Sequence, residues 1–92
     1  MIEYDSSKDR ANQEKHGIAL NQAEYFEWDE VLTIPDTRED YGEERFIGYG
    51  LLGGSLHALV YTYRGDNIRV ISLRKANRKE RKTYAKNIYE VR

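Results

Sequence analysis

Side chains that could transfer protons or bind charge beside a phosphate group stand at His16, Arg69 and Arg74. The ordinary pKa of histidine lies close to neutral pH, so His16 could exchange protons under physiological conditions. The planar guanidinium group of arginine donates two parallel hydrogen bonds to a phosphate. A structural interpretation remains open for each residue. A histidine at a helix C-terminus stabilises the helix dipole, and an arginine on a strand can be solvated or ion-paired.

The spacing of the two arginines restricts how they could share a site. Side chains alternate along a strand, so Arg69 and Arg74 point to opposite faces of a regular strand. They line one site only where a bulge intervenes or where Arg74 lies past the strand end. The second histidine, His57, lies between apolar residues in a predicted strand, and we expect it to be a packing residue.

Two further groups of residues have weaker signals. Glu44 could be a general base and Arg45 could hold it in place, although most exposed Glu–Arg pairs are simple surface ion pairs. Tyr84 could donate a proton or stack on a nucleobase, but its position in the apolar stripe of the last helix favours the core. The same helix begins with Arg78, Lys79, Arg81 and Lys82, which are either a solvated face or a surface for phosphates or an acidic partner segment.

Composition limits the kind of protein. A chain of 92 residues predicts one domain, residues 1–92, with a small core. The absence of cysteine excludes disulfides and thiolate metal sites, and no pair of closely spaced histidines suggests a metal. We therefore expect no metal and no cofactor. No signal peptide and no apolar run of membrane-spanning length is visible, so we expect a cytoplasmic protein without membrane contact.

The net charge of −1 conceals two oppositely charged segments. Residues 24–44 hold nine acidic residues against one basic residue, and residues 64–92 hold ten basic residues against three acidic ones. If the fold keeps the segments apart, one surface is cationic and attracts phosphate. If it brings them together, they neutralise each other.

The hydrophobic pattern predicts the elements that position these residues. A short strand, Ile2–Tyr4, precedes a helix capped by Asp5 and Gly17. A capping-box pattern at Asn21 and Glu24 predicts a second helix that buries Leu20, Ala23, Phe26 and Trp28. Strands follow at Val31–Ile34, Glu44–Leu52, Leu56–Arg64 and Ile68–Arg74. Thr37–Gly42 is predicted to be a polar loop, and Gly53-Gly54 and Gly65-Asp66-Asn67 are predicted hairpin connections. Asn77 with Glu80 predicts the cap of a last helix. Its apolar stripe is Tyr84, Ile88 and Val91.

This order predicts an α+β domain. We expect an antiparallel sheet with two N-terminal helices and a C-terminal helix packed on one face. The opposite face would then be available for a ligand.

Three segments, taken in order, resemble the BrnT toxin family, over about residues 4–84. The first contains Lys8, Asn12, Lys15, His16 and Gly17, followed by Ala23 and Phe26. The second is Gly42-Glu43-Glu44-Arg45, which leads into the strand at Ile47. The third contains Tyr61-Thr62, the run Arg69-Val70-Ile71-Ser72-Leu73-Arg74-Lys75-Ala76, and then Glu80-Arg81 and Tyr84.

The resemblance implies a RelE-like fold and a toxin that arrests growth by cleaving RNA. It implies a BrnA-like, DNA-binding antitoxin as partner, through which the complex reaches operator DNA. By this resemblance the catalytic residues would be His16, Arg69, Arg74, Glu44 and Arg45. The RNA-binding residues would be Lys8, Lys15, Arg78, Arg81 and Tyr84.

RNA cleavage needs no metal in principle, because the 2′-hydroxyl is an internal nucleophile. The protein must help to remove its proton, stabilise charge on the phosphoryl oxygens and protonate the departing 5′ oxygen. Two other functions remain open. The chain could be a catalytically inactive interaction module within a toxin–antitoxin repressor complex, or it could inhibit a protein target without cleaving RNA.

Overall fold

Five strands form one sheet in the order β1-β5-β4-β3-β2 in a computed structural model of the chain. The structure describes the backbone of residues 1–91 and the side chains of residues 1–88. The strands are β1 (Ile2–Glu3), β2 (Leu32–Pro35), β3 (Phe46–Leu52), β4 (Ser55–Arg64) and β5 (Asn67–Lys75). The α-helices are α1 (Ser6–His16) and α2 (Arg78–Val91), and 3₁₀ helices span Leu20–Tyr25 and Trp28–Glu30. Along this described part, no helix has both the length and the apolar character needed to cross a membrane.

The sheet is an antiparallel meander with one added parallel strand. Strands β2 to β5 pair antiparallel in sequence, whereas β1 runs parallel to β5 and pairs only at Ile68 and Arg69. The predicted hairpin between β3 and β4 is confirmed, with φ of 59° at Gly53 and 83° at Gly54. Two successive left-handed residues match the right-handed twist of the flanking strands, which is why glycines stand there.

Both predicted ends of α1 are confirmed. The Asp5 carboxylate accepts a hydrogen bond from the Ser7 N–H at 2.7 Å, as an N-cap does. Gly17 adopts a left-handed conformation, with φ of 71°, and its N–H donates to the Gln13 carbonyl. Ile18 then packs against the core. The chain therefore leaves α1 in a direction that returns it to the sheet.

The predicted second α-helix is wrong, because this segment forms two 3₁₀ helices. Leu20, Ala23 and Phe26 are buried as predicted, and their spacing of three residues matches the 3₁₀ period of three residues per turn. No side chain caps this segment at its own N-terminus, where Asn21 had been expected. Instead the Leu20 N–H donates to the Asp9 carboxylate of α1 at 2.8 Å. Helical bonding then ends at Phe26, whose backbone is extended.

The helices lie on both faces of the sheet rather than on one. The larger core cluster joins Leu20, Ala23 and Phe26 to side chains on one face, among them Leu59 and Leu73. A smaller cluster on the other face, called here the second face, contains Ile47, Ala58 and Val60 with Tyr49 packed against it. Helix α2 contacts this second face. The predicted α+β class is confirmed and the one-face arrangement is wrong; the RelE-like relationship stays a prediction.

Helix α2 reaches the second face because Glu80 accepts a hydrogen bond from the Tyr49 hydroxyl at 3.1 Å. The Tyr84 hydroxyl donates to the Glu30 carbonyl at 2.7 Å, which ties the middle of the helix to the second 3₁₀ helix. Of the predicted apolar stripe, Tyr84 and Ile88 are half-buried. The Val91 side chain lies outside the described residues.

Asn12 joins α1 to the edge of β5 beyond its pairing with β1. Its side-chain amide donates to the Leu73 carbonyl at 2.8 Å and accepts from the Leu73 N–H at 3.0 Å, as a neighbouring strand would. It also donates to the Ile18 carbonyl at 2.8 Å. The side chain is buried, so these bonds are shielded from water. One amide therefore closes the sheet edge and sets the position of α1.

We predict that Asn12→Ala destabilises the protein more than the same substitution of an exposed asparagine does. The change leaves the Leu73 peptide and the Ile18 carbonyl without partners, and we expect it to lower the free energy of unfolding by about 2–4 kcal/mol. Urea denaturation monitored by circular dichroism measures this difference. Asn21→Ala, at an exposed position, is the matched control and should change little. Equal effects of the two substitutions would contradict the role given to Asn12.

Candidate functional site

A groove of about 300 Å³ lies on the second face, between α1 and the sheet. Apolar side chains from three neighbouring strands, Ile47, Val60 and Ile71, form its floor. Basic side chains surround that floor: Lys8, Lys15, His16, Arg38 and Arg74. Among the side chains that the structure describes, no acidic one lines it. An apolar floor within a positive rim suits a ligand with a flat or apolar part and an attached anion.

A β-bulge in β5 controls which side chains reach this face. Val60 pairs with Ser72 and Tyr61 pairs with Val70, so Ile71 is the extra residue. Val70 and Leu73 accordingly both point into the larger core despite their odd separation. By the same register Arg69 and Arg74 lie on the second face together. The condition for the two arginines to share a face, a bulge between them, is met.

Arg69 shares that face but does not line the groove. Its guanidinium lies 3.4 Å from the Glu3 carboxylate on the parallel neighbour β1. Its charge also helps to lower the pKa of Asp5, after the larger effect of hydrogen bonds from Ser7. Arg69 therefore lies beside the beginning of α1, away from the end at which His16 stands.

Of the described residues that line the groove, His16 is the one that can titrate near neutral pH. It occupies the last turn of α1 and is half-buried. Burial lowers the pKa of His16 below 6.5, and the charges of Lys15 and Arg74 lower it further. Its imidazole is therefore neutral at pH 7 and can accept a proton. A bound anion would favour the protonated form by opposing these two charges.

Glu80 holds the guanidinium of Arg74 in place. The two side chains form a bidentate ion pair, with N–O distances of 2.8 and 2.9 Å. Glu80 also accepts from the Asn77 N–H, while the Asn77 side chain accepts from the Glu80 N–H, so the predicted capping box is confirmed. Hydrogen bonds from Arg74 chiefly keep the pKa of Glu80 at about 2, and they raise that of Arg74. One carboxylate thus fixes both the beginning of α2 and a groove arginine.

Arg38 is a groove residue that the sequence did not single out. It lies in the segment between β2 and β3 that the sequence predicts as a polar loop. The Asp36 carboxylate accepts from its Nε and Nη2 atoms, both at 2.7 Å. These bonds lower the pKa of Asp36 to about 2, because their effect is larger than the opposing effect of burial. The only sequence signal is an acidic residue two positions before an arginine, which is common on surfaces.

The other predicted site residues lie outside the groove. Arg45 pairs with Glu43 at 3.0 Å and stacks over the Tyr41 ring, so it does not hold Glu44. Glu44 and Arg45 precede β3, contrary to the predicted strand, and the Glu44 carbonyl accepts from the Thr62 hydroxyl. Arg78 is exposed on α2, Arg81 donates to the Ala76 carbonyl, and Tyr84 lines a separate apolar groove with Leu32 and Ile34.

His57 is buried, and its Nδ1 atom lies 2.8 Å from the Ser55 carbonyl oxygen. This placement agrees with the packing role expected for it. Among the residues that the structure describes, no three histidine, aspartate or glutamate side chains are grouped to hold a metal ion.

We predict that Glu80→Gln makes the free energy of unfolding less dependent on pH in the acidic range. In the folded protein Glu80 has a pKa of about 2, against an ordinary value of 4.5, so its contribution is complete above pH 4.5 and is lost as pH falls towards 2. Glutamine keeps the helix cap but not the charge. At pH 7 the variant should be less stable by about 2–3 kcal/mol, and the difference should shrink as pH falls.

Urea denaturation between pH 2 and pH 7 would measure this difference. Glu24→Gln, at an exposed position, is the control for loss of a negative charge and should differ little from the unsubstituted protein. A constant deficit of Glu80→Gln at every pH would contradict an ionised, bonded Glu80.

Comparison with known proteins identifies one family. Residues 4–80 match the family described as the ribonuclease toxin, BrnT, of type II toxin–antitoxin systems. The matched region contains α1, strands β2 to β5 and the first residues of α2, and it includes every residue that lines the groove. A comparison with curated proteins found no match.

Proposed function

The chain belongs to the BrnT family of ribonuclease toxins of type II toxin–antitoxin systems, and from this premise we propose that the groove is a metal-independent endoribonuclease site. The observation that supports this is the position of His16 beside Arg74. Burial and neighbouring positive charge keep His16 neutral. Arg74, which lines the same groove, is held by a bidentate ion pair with Glu80. A proton acceptor next to an anion-binding group is what attack by a ribose hydroxyl requires.

In the proposed reaction the 2′ oxygen of RNA attacks the adjacent phosphorus. His16 accepts the proton of the 2′-hydroxyl as the new P–O bond forms. The bond to the 5′ oxygen breaks, and that oxygen takes up a proton from water as it leaves. The products are a 2′,3′-cyclic phosphate and a 5′-hydroxyl end. Arg74 and Lys15 stabilise the negative charge that accumulates on the phosphoryl oxygens.

Substrate binding follows from the remaining groove residues. Lys8 and Lys15 lie on α1 about two turns apart and contact phosphates along the RNA strand. The aliphatic floor of Ile47, Val60 and Ile71 packs against a base or ribose. The bases of single-stranded RNA are unstacked and can enter such a groove, whereas a duplex hides them.

The predicted residues outside the groove have more peripheral roles in this proposal. Arg69 extends the positive second face towards the beginning of α1 and contacts flanking nucleotides. Arg78 and Arg81 place positive charge at the beginning of α2, where they attract RNA over a longer distance. Tyr84 docks α2 on the sheet, and Glu44 with Arg45 supports the segment that carries Arg38.

A type II family implies an antitoxin partner and an RNA target. We propose that the partner is a DNA-binding protein of the BrnA type, which neutralises the toxin and connects it to operator DNA. The proposal assigns no direct DNA contact to this chain.

We predict that the purified chain cleaves single-stranded RNA in the presence of EDTA. His16→Gln and Arg74→Gln should each lower the cleavage rate by about 10²–10³-fold, because each removes a group used in the transition state. Gel analysis of a labelled oligonucleotide measures the rate, and detection of a 2′,3′-cyclic phosphate end tests the mechanism. Arg64→Gln is the control for loss of an exposed arginine charge, since Arg64 pairs with Glu43 outside the groove.

Several results would contradict this proposal. Loss of all cleavage with EDTA would exclude the metal-independent mechanism. Full activity of both groove variants would exclude the site assignment. No cleavage and no growth arrest when the chain is expressed alone would favour an inactive interaction module, and growth arrest with intact RNA would favour a protein target.

The pH dependence of cleavage gives a second prediction. A neutral His16 is the active form, so kcat/KM should rise with pH and level off above an inflection below pH 6.5. Lys15→Gln removes one positive neighbour, raises the pKa of His16 and should move the inflection to higher pH. Lys82→Gln, an exposed lysine on α2, is the control. An inflection that Lys15→Gln leaves unmoved, or that persists in His16→Gln, would exclude His16 as the base.

A further inference from the structure

We propose that Arg38 is a second phosphate-binding arginine of the groove and that Asp36 is the residue that positions it. This inference rests on the proposed function for the identity of the ligand, the phosphates of single-stranded RNA. Arg38 lines the groove together with Arg74 although the two residues come from distant parts of the sequence. It also belongs to the acidic half of the chain, where it is the only basic residue between positions 24 and 44.

The position of Arg38 is set by a carboxylate that has no contact with water. The Asp36 side chain is 0% exposed, whereas the Arg38 side chain is 60% exposed. The Asp36 N–H donates to the Arg45 carbonyl at 2.7 Å, which continues the pairing of β2 with β3. Asp36 is therefore anchored to the sheet, and Arg38 is anchored to Asp36.

The geometry of the ion pair leaves part of the guanidinium for a ligand. Asp36 binds the edge formed by Nε and Nη2, so the Nη1 group lies on the other edge, and the Tyr41 side chain also interacts with this guanidinium. The long side chain remains mostly in solvent at the groove. A surface ion pair between two exposed side chains would give no such fixed direction, because both partners would move.

Arg38 and Arg74 approach the same floor from opposite edges of the antiparallel meander. Arg74 belongs to β5, and Arg38 follows β2, at the opposite edge of the antiparallel meander. The floor between them includes side chains from β5, β4 and β3, and neighbouring strands are about 4.8 Å apart, so the groove is about 10 Å across. Arg38 is close enough for its charge to oppose protonation of Arg74, although the ion pair with Glu80 outweighs this effect. A bound phosphate would relieve that repulsion.

Both arginines are held by a carboxylate, Arg38 through its Nε and Nη2 atoms and Arg74 through its Nη1 and Nη2 atoms. Each guanidinium forms a bidentate pair with a carboxylate whose pKa is about 2. Both arginines line the groove, whereas, among the residues that the structure describes, neither Asp36 nor Glu80 does. Both arginines therefore present charge in a fixed direction, and a ligand does not have to order them on binding.

The test measures affinity for RNA that cannot be cleaved. A fluorescent single-stranded oligonucleotide with 2′-O-methyl groups keeps every phosphate and blocks attack by the 2′ oxygen. Its Kd is measured by fluorescence anisotropy over a series of KCl concentrations. Each phosphate contact to a single strand contributes about 0.7 to the slope of log Kd against log salt concentration.

We expect Arg38→Gln to weaken binding about 10-fold at low salt and to reduce the slope by about 0.7. Arg64→Gln removes the same charge from an exposed ion pair outside the groove. It should leave Kd within about twofold and the slope unchanged, because this proposal assigns Arg64 no phosphate contact. Asp36→Asn keeps the charge of Arg38 but loosens its position. This variant should weaken binding while its slope stays close to that of the unsubstituted protein.

Arg38→Gln leaves the buried Asp36 carboxylate without its counterion and can reduce folding. The double variant D36N/R38Q removes both charges together, and it should show the same loss of affinity and the same reduction in slope. Circular dichroism at the binding temperature establishes that each variant is folded. A folded D36N/R38Q protein with the original Kd and slope would overturn the proposal.

The outcome also separates this inference from the proposed function. If the oligonucleotide binds with the expected slopes but unmodified RNA is not cleaved, Arg38 binds phosphate and the ribonuclease proposal fails. If RNA is cleaved but Arg38→Gln and Arg64→Gln bind alike, the ribonuclease proposal stands and the role of Arg38 is wrong.

Discussion

The hydrogen bonds between the Asn12 amide and the Leu73 peptide determine where α1 lies, and the groove depends on that position. An unpaired strand edge leaves N–H and C=O groups that need partners, and burial makes leaving them unpaired costly. A helix can satisfy such an edge only through a side chain. Asparagine carries one donor and one acceptor in the arrangement of a peptide, so it replaces the missing strand residue. Lys8, Lys15 and His16 reach the groove because they lie on the helix that this contact places.

Electrostatics in the groove follows from two ion pairs. Positive side chains lie together on its rim, although the chain as a whole has a net charge of −1. Asp36 and Glu80 stabilise the arginines without lining the groove themselves. These two carboxylates balance the positive charge of the arginines. The charges of Lys15 and Arg74 still lower the pKa of His16, which lies on another part of the rim. Each of these two ion pairs forms within one segment, Asp36 with Arg38 in the acidic segment and Glu80 with Arg74 in the basic segment. The fold leaves one cationic surface at the groove.

Local signals in the sequence predicted individual elements well where the chemistry was local. The caps of α1, the Gly53–Gly54 turn and the capping box at Asn77 and Glu80 each involve residues within a few positions of one another. The second helix was predicted from a similar local pattern and is wrong: the segment is 3₁₀, and its bonds go to other elements, from the Leu20 N–H to Asp9 of α1 and from the Glu27 N–H to the Leu51 carbonyl of β3. The groove was only partly predictable. The family resemblance indicated four groove residues: His16, Arg74, Lys8 and Lys15. It did not indicate Arg38, whose position depends on the tertiary contact between Asp36 and Arg45.

The sequence by itself determined the α+β class, the order of strands β2 to β5, the buried residues of the N-terminal segment and the toxin family. These features follow from hydrophobic period, turn residues and short motifs, all of which are read along the chain. Only the tertiary structure decided which face each helix covers, that the bulge at Ile71 turns Arg69 and Arg74 to one side, and which basic residues surround one groove. Side-chain direction across a sheet depends on strand register, and a shift of one residue reverses it. Register is set by contacts between distant segments, and no local pattern records them.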